Sequence, residues 1–450
     1  MESRDRNYFL LLNLILTNLV TLLFMLASLG LITIVVLLFL VMTKRTSPTV
    51  AMILVPILTA FIGGFRLEML DFITQGILSI APTGVMFIFA ILFFGVLMDA
   101  GTFKPMIRGI LKLAGNDPAK VAVGSAILAM IVHLDGSGAS TFLIAVPAFL
   151  PVYDQLQMKR TTLACIVALA AGTMNILPWG GPTIRAAAAL EVPVTDLFNP
   201  MLVPVVVGLI SVILIAYILG KKERVTRSPG LEQNSLEEDS NEWERPRLFW
   251  FNILMIFLTV AVLVSGMAPP HLIFMIAFAT AISINYPKVK DQASRINAHA
   301  QSVVLMVSIL FAAGCLIGIM KGSGMIEAMA EAAVVRIPDR VGNHLPLVVG
   351  LAAMPASLLF DPDSFYFGIV PILSTTAVHF GGDPIEIGRA AIMGQMTTGF
   401  PVSPLTGATF LLIGLAGVDL GTHQRKTIPY AFLVSIIILI TSLLVGAITL

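Results

Sequence analysis

The chain has 450 residues, 57% of them hydrophobic and only 12% charged, with a formal net charge of +1 and a mean hydropathy of +0.95. Soluble domains carry roughly 45–50% apolar and about 25% charged residues, so a soluble enzyme or binding module is excluded, and the balanced charge offers no patch for nucleic acid. An all-α integral membrane protein remains, built from apolar runs of the roughly 20 residues that cross a bilayer. At the N-terminus Met1 to Asn7 are polar, and Tyr8 to Met42 form an apolar stretch too long for a signal-peptide core and without a clear cleavage site. The stretch also exceeds one span: either the first helix carries an extension over residues 1–25, or translation starts near Met25. Spans are predicted at 24–42, 48–65, 78–98, 161–190, 199–219, 248–266, 269–286, 301–320, 386–418 and 428–449. Two further apolar segments, 121–150 and 343–380, are interrupted by polar residues and proline. Each is either two spans around a buried turn or one re-entrant hairpin. Cys165 and Cys315 both sit in apolar stretches, which argues against a disulfide framework.

Positive charge sets the orientation. The polar linker 220–247 holds Lys221, Lys222, Arg224, Arg227, Arg245 and Arg247 and is placed in the cytoplasm. Counting outward, Lys44–Arg45, the 104–120 segment, Lys159–Arg160, Lys288–Arg295 and Arg425–Lys426 fall inside, while the loops 191–198 and 266–270 lack Lys and Arg and fall outside. This agreement requires each interrupted segment to return to its starting side, which favours re-entrant hairpins. The linker divides the chain into a first half, 26–219, and a second half, 248–450.

The halves echo each other at an offset near 220–226 residues. Met98-Asp-Ala-Gly101 matches Met320-Lys-Gly-Ser-Gly324. The first hairpin, Leu134-Asp-Gly-Ser-Gly-Ala-Ser-Thr-Phe142 running to Pro147, matches Phe360-Asp-Pro-Asp-Ser-Phe365 running to Pro371. The span broken at Asn175-Ile-Leu-Pro-Trp-Gly-Gly-Pro-Thr183 matches Gly399-Phe-Pro-Val-Ser-Pro-Leu-Thr406. In the predicted topology the hairpins enter from opposite sides, so the repeats are inverted. Inverted repeats with paired broken helices mark secondary transporters, with the substrate held near the midplane. The expected fold is therefore an inverted-repeat transporter of about 10–11 spans, two re-entrant hairpins and two broken helices (161–190 and 386–418).

Non-helical backbone survives at membrane depth only inside protein or beside water. The breaks are therefore expected to line a polar cavity, where freed carbonyls suit a cation and the N-terminus of the second half-helix suits an anion. The turns carry Asp135, Ser137, Ser140 and Thr141 in one half and Asp361, Asp363 and Ser364 in the other. Carboxylates at such depth are functional candidates, and their oxygens suit Mg²⁺, Ca²⁺, Na⁺ or a transferred proton. Arg185 follows the first break among alanines and needs an anion, either a substrate carboxylate gripped by its planar fork or a protein partner. His133, beside the first turn, is more often structural than a proton relay. Asp99 and Lys321 end matched spans and are expected at opposite interfaces. Asn175 and Gln395 are polar residues within matched spans that could support the site. The sequence holds no Gly-x-Ser-x-Gly, His-Glu-x-x-His or Walker loop, so an enzyme and an ATP-driven pump are not expected, and no bound organic cofactor is implied.

These residues resemble a known family. Ala81-Pro-Thr-Gly-Val-Met86, Asn175-Ile-Leu-Pro-Trp-Gly-Gly-Pro-Thr183 with Arg185-Ala-Ala-Ala188, Phe365-Tyr-Phe-Gly368, and Leu411-Leu-Ile-Gly-Leu-Ala-Gly417 with His423-Gln-Arg425 are similar to the citrate–metal:proton symporters (CitMHS) of the ion transporter superfamily. The resemblance runs from about Leu26 to the C-terminus. It implies uptake of citrate or a related carboxylate as a complex with a divalent metal, Mg or Ca, coupled to protons, by an elevator-type homodimer in the plasma membrane, surrounded by lipid. It also implies a site at the two hairpin tips and the two breaks. Here those positions are Asp135, Ser137, Ser140 and Thr141; Gly180, Gly181 and Thr183; Asp361, Asp363 and Ser364; and Ser403 and Thr406. Asp135, Asp361 and Asp363 would meet the metal, and Arg185 and the others the carboxylate. Where the family pattern carries a second acidic residue two positions after Asp135, this chain has Ser137, while the second turn has two aspartates.

Three other readings compete. A cation/proton antiporter on this architecture would use the carboxylates for ions alone and would have no task for a buried Arg185. A sodium-coupled dicarboxylate transporter would share the fold and differ in the ion. An intramembrane hydrolase using Asp135 and Asp361 needs carboxylates sharing a proton, and the sequence shows no supporting residues around such a pair.

Overall fold

The computed structural model describes residues 21, 23–41, 43, 45–223 and 242–449. Expectations placed on residues 1–20 and on the middle of the linker, 224–241, lie outside the described residues. Three helices start where the sequence supplies both a cap and a proline. Ser47 accepts a hydrogen bond from the Val50 amide ahead of Pro48, Asp117 caps ahead of Pro118, and Asp383 caps ahead of Pro384. A short polar side chain satisfies one of the orphan amides, and proline at the next position has no amide to lose.

The first half contains α1 (Leu23–Val41), α2 (Pro48–Ile62), α3 (Glu68–Asp99), α4 (Lys104–Ala114), α5 (Pro118–Val132), α6 (Gly138–Gln155), α7 (Arg160–Met174), α8 (Gly181–Leu190), α9 (Val194–Phe198) and α10 (Leu202–Glu223). The second contains α11 (Phe249–Ser265), α12 (Pro270–Asn285), α13 (Val289–Gly322), α14 (Met325–Val334), α15 (Asp339–Gly342), α16 (Leu345–Ala356), α17 (Val370–His379), α18 (Pro384–Ile392), α19 (Gly407–Ala416) and α20 (Leu420–Leu444). Among the described residues there are no strands, and seven helices are long and apolar enough to cross a membrane. The protein is an all-helical integral membrane protein. The remaining apolar helices are shorter because the chain divides several spans into pieces, as at α7–α8 and α18–α19.

Two sets of helices position the site. In the first, α3 and α13 run antiparallel in close contact, with α12 against α3 and α2 against α13. Their approach depends on missing side chains. A Cβ on Gly76 would fall 2.1 Å from the Gly314 carbonyl oxygen, and one on Gly318 would fall 2.2 Å from the Phe72 carbonyl oxygen. In the membrane such backbone-to-backbone contact gains dispersion energy that lipid cannot supply. The second set gathers the helix–turn–helix units and the broken helices, with α10 against α5, α7 and α20, α16 against α18 and α20, and α6 against α19. The sequence echo has a structural counterpart: Gly101 and Gly324, each just past a long helix, both adopt a left-handed conformation, at φ 74° and 75°.

Candidate functional site

Four interruptions of helix converge. At the first turn, α5 gives way to a single 3₁₀ turn, His133–Asp135, and Gly136 at φ 72° reverses the chain. Asp135 Oδ1 accepts the Ser137 amide at 2.8 Å, a local Asx arrangement that closes the turn. Ser137 then caps α6 by accepting the Ser140 amide at 3.3 Å. At the second turn, Asp361 Oδ1 accepts the amides of Asp363 and Ser364, both at 3.1 Å, and its Oδ2 accepts the Ser364 hydroxyl at 2.5 Å. A π-helical turn, Ser364–Ile369, follows, a form that recurs at functional positions.

The first break spans 175–180, between α7 and α8. One of its freed carbonyls finds a side-chain donor, as the Thr183 hydroxyl donates to Ile176 O at 2.8 Å, and Trp179 Nε1 reaches from the break to the first turn, donating to Leu134 O at 2.8 Å. Asn175 Nδ2 donates to Met396 O at 2.8 Å and so ties the two breaks together. The second break, 393–406, is longer. Gln395 receives the Ser357 hydroxyl on its side chain at 2.9 Å and the Tyr366 hydroxyl on its carbonyl at 2.7 Å, while the Met396 amide donates to Ser357 Oγ at 2.9 Å. These bonds replace what the helix gave up, as an apolar interior demands.

Between the four interruptions lies a cavity of about 580 Å³, within the size range of small-molecule sites. Asp135, Ser137 and Ser140 reach it from the first turn, Gly181 and Arg185 from the start of α8, Asp361 and Asp363 from the second turn, and Thr406 from the end of the second break. The other predicted residues stand behind these walls. Thr141 shares a hydrogen bond with His133 Nδ1 at 2.8 Å, Thr183 and Ser364 make the bonds given above, and Ser403 Oγ accepts the Leu405 amide at 3.2 Å. Gly180 is required sterically, since a Cβ there would sit 2.1 Å from Asn175 O. His133 is fully buried between Thr141 and Asn175, a structural position.

Arg185 has a protein partner. Its Nε donates to Asp363 Oδ1 at 2.6 Å, with the two side chains 12% and 7% exposed. Arg185 lines the cavity, and among the described residues its Nη1 and Nη2 make no hydrogen bond. Among the described residues no group of three or more His, Cys, Asp or Glu side chains is placed to hold a metal ion. The three aspartates line one cavity without forming a closed cage, so a metal ion would meet them only with oxygens from its own carrier filling the remaining positions.

Sequence reasoning missed the wall formed by α3 and α13. His299 and Ser302 of α13 line the cavity, together with Gly95 and Met98 of α3. His299 Nε2 lies 3.0 Å from Asp99 Oδ2, and Arg295 Nη1 donates to the same oxygen at 3.2 Å. At the far end of α13, Lys321 pairs with Glu191 at the end of α8. Asp99 and Lys321 thus occupy opposite ends of the antiparallel pair.

The citrate transporter family (CitMHS) matches residues 37–394 of the chain. A citrate transporter of Bacillus subtilis (strain 168) is 43% identical over 432 residues, covering 94% of this chain and 100% of that protein. A Mg(2+)/citrate complex secondary transporter of the same organism is 40% identical over 432 residues, covering 94% of this chain and 99% of that protein. Among solved structures, the YdaH transporter of Alcanivorax borkumensis superposes with a TM-score of 0.61 at 16% identity, covering 83% of this chain and 86% of that chain. That likeness concerns the fold alone.

Proposed function

The chain belongs to the citrate transporter family, and from that premise we propose that it is a secondary transporter importing citrate as a complex with a divalent metal, coupled to protons. The observation that carries this reading is the mixed chemistry of one cavity. Arg185 offers guanidinium nitrogens to a carboxylate, while Asp135 and Asp361 offer oxygens to a cation. A bare tricarboxylate would meet those aspartates as like charges. A metal–citrate complex presents free carboxylate oxygens to arginine and unfilled metal positions to aspartate. Two relatives named for citrate and for Mg(2+)/citrate support the same cargo. An antiporter for cations alone leaves the free nitrogens of Arg185 without a task.

In this proposal the helix–turn–helix units 121–150 and 343–380 are re-entrant hairpins, entering from opposite sides and moving with the broken helices. The packed α3–α13 pair is the stationary wall. The test is counterflow in proteoliposomes: citrate-loaded vesicles are offered labelled citrate with Mg²⁺, with Ca²⁺ or with a chelator. Accumulation with at least one metal and its loss with the chelator are expected. Equal accumulation with and without metal would replace the complex by free citrate as cargo. A protonophore should then abolish net uptake while leaving counterflow intact.

A further inference from the structure

We infer that His299, oriented by Asp99, is a substrate-contacting residue that acts on one side of the membrane only, the side to which the Asp99 end of α3 belongs. The inference rests on the transport reading above and names a residue that neither the turns nor the breaks supply. Three observations carry it. First, His299 and Ser302, one helical turn apart on α13, line the same cavity as Arg185 and the aspartates. Second, the imidazole has a built seat. A Cβ on Gly95 would meet its ring at 2.7 Å, so only a glycine in α3 lets the ring lie against that helix. Asp99, one turn further along α3, takes Nε2 at 3.0 Å and is itself held by Arg295. Among the described residues the other ring nitrogen makes no hydrogen bond, so it is left for a carboxylate oxygen of the cargo. A carboxylate that fixes one imidazole nitrogen and thereby aims the other is a recurrent way to hold a ligand-facing histidine.

Third, His299 sits on a different set of helices from the other polar residues of the cavity. The α3–α13 contact is backbone against backbone at Gly76, Gly314 and Gly318, whereas Asp135, Asp361 and Thr406 sit on turns and breaks, and Arg185 on α8 just after a break, in the second set of helices. If those elements carry the cargo across while α3 and α13 stay, His299 touches it only while the cavity abuts Gly95, Met98 and His299. On the opposite side the cargo faces other residues of the wall.

The prediction is an asymmetry. Purified His299→Ala is reconstituted, and apparent citrate affinity is measured with the metal that supports transport, separately at each face, in vesicles of known orientation. Affinity at the Asp99-end face should fall about tenfold, the loss of one hydrogen bond to a charged group, and affinity at the other face should stay unchanged. Asp99→Asn, which releases the imidazole, should shift the same face in the same direction by less. Arg185→Lys is the control for the underlying reading: it should weaken both faces. Equal weakening at both faces by His299→Ala, or none at either, overturns the one-sided role. If His299→Ala carries no citrate, His299→Gln decides by the same comparison. If instead Arg185→Lys changes neither face, the cavity itself is misassigned, an outcome distinct from failure of the histidine proposal.

Discussion

Arg185 and Asp363 lie 178 residues apart and meet at 2.6 Å. From the sequence, a guanidinium among alanines had to find an anion; whether that anion was cargo or protein could not be read from local context. The answer depends on the second turn folding against α8, a contact between halves. The planar fork reconciles the two options, because Nε serves Asp363 while Nη1 and Nη2 remain for a carboxylate. Asp135 was legible for a simpler reason: a carboxylate after the apolar run Met130 to Leu134 is costly unless it is used. His299 was not legible. A histidine in a long helix carries no local signal, and its role depends on Gly95 and Asp99 of a helix about 200 residues earlier. The proposed function gives Asp135 one of two tasks, metal ligand or proton carrier, and one substitution separates them. Asp135→Asn removes an anionic ligand, so as a metal ligand it should reorder preference among Mg²⁺, Ca²⁺ and Zn²⁺ in citrate uptake. As a proton carrier it should abolish net uptake but spare exchange, with metal preference intact. We expect the reordering, because Gly136 and Gly138 beside Asp135 let backbone carbonyls join the ligand set. A variant with unaltered metal preference and pH dependence would remove Asp135 from both roles.

Among the elements, the breaks and turns were legible because proline, glycine and carboxylate pairs conflict with a plain apolar span. Their limits were less so. Prolines at 56, 82, 147, 151 and 429 sit inside continuous helices, whereas Pro401 and Pro404 lie within a break. Neighbouring helices and side chains re-satisfy the freed groups in the first case, and no window of sequence reports that. The long helices also exceed their apolar cores. Hydropathy marks 301–320, but α13 begins at Val289 and has 34 residues, about 51 Å at 1.5 Å per residue. Its charged first turns, with Lys290, Asp291 and Arg295, read as loop from hydropathy alone. The glycines of α3 and α13 give this scale its test. Gly318→Ala places a methyl group against Phe72 O and forces the helices apart. Overpacking of this kind costs about 1–3 kcal/mol. Thermal unfolding of the detergent-solubilised protein should therefore shift downward, while Gly414→Ala, where a Cβ meets nothing within 4 Å, should be silent. Equal stability of the two variants would mean that the α3–α13 contact is not tight.

For the whole molecule, the repeat was the strongest sequence signal, since three matched features in order at one offset leave little room for coincidence. The cavity it predicts is lined by both turns and both breaks. The sequence could not reveal that a third wall comes from α3 and α13, because an echo between two stretches of sequence says nothing of how the two sets of helices face. The central claim is that metal–citrate occupies this cavity. It is tested most directly at Ala139, which lines the cavity with an exposed side chain and makes no side-chain hydrogen bond, while the native Cys165 and Cys315 are buried. Ala139→Cys protein in inside-out vesicles is treated with an impermeant thiol reagent, and the labelling rate is followed with citrate alone, metal alone, and both. Labelling that slows with both together, far more than with either alone, is the predicted result; a rate indifferent to citrate and metal in every combination would contradict it.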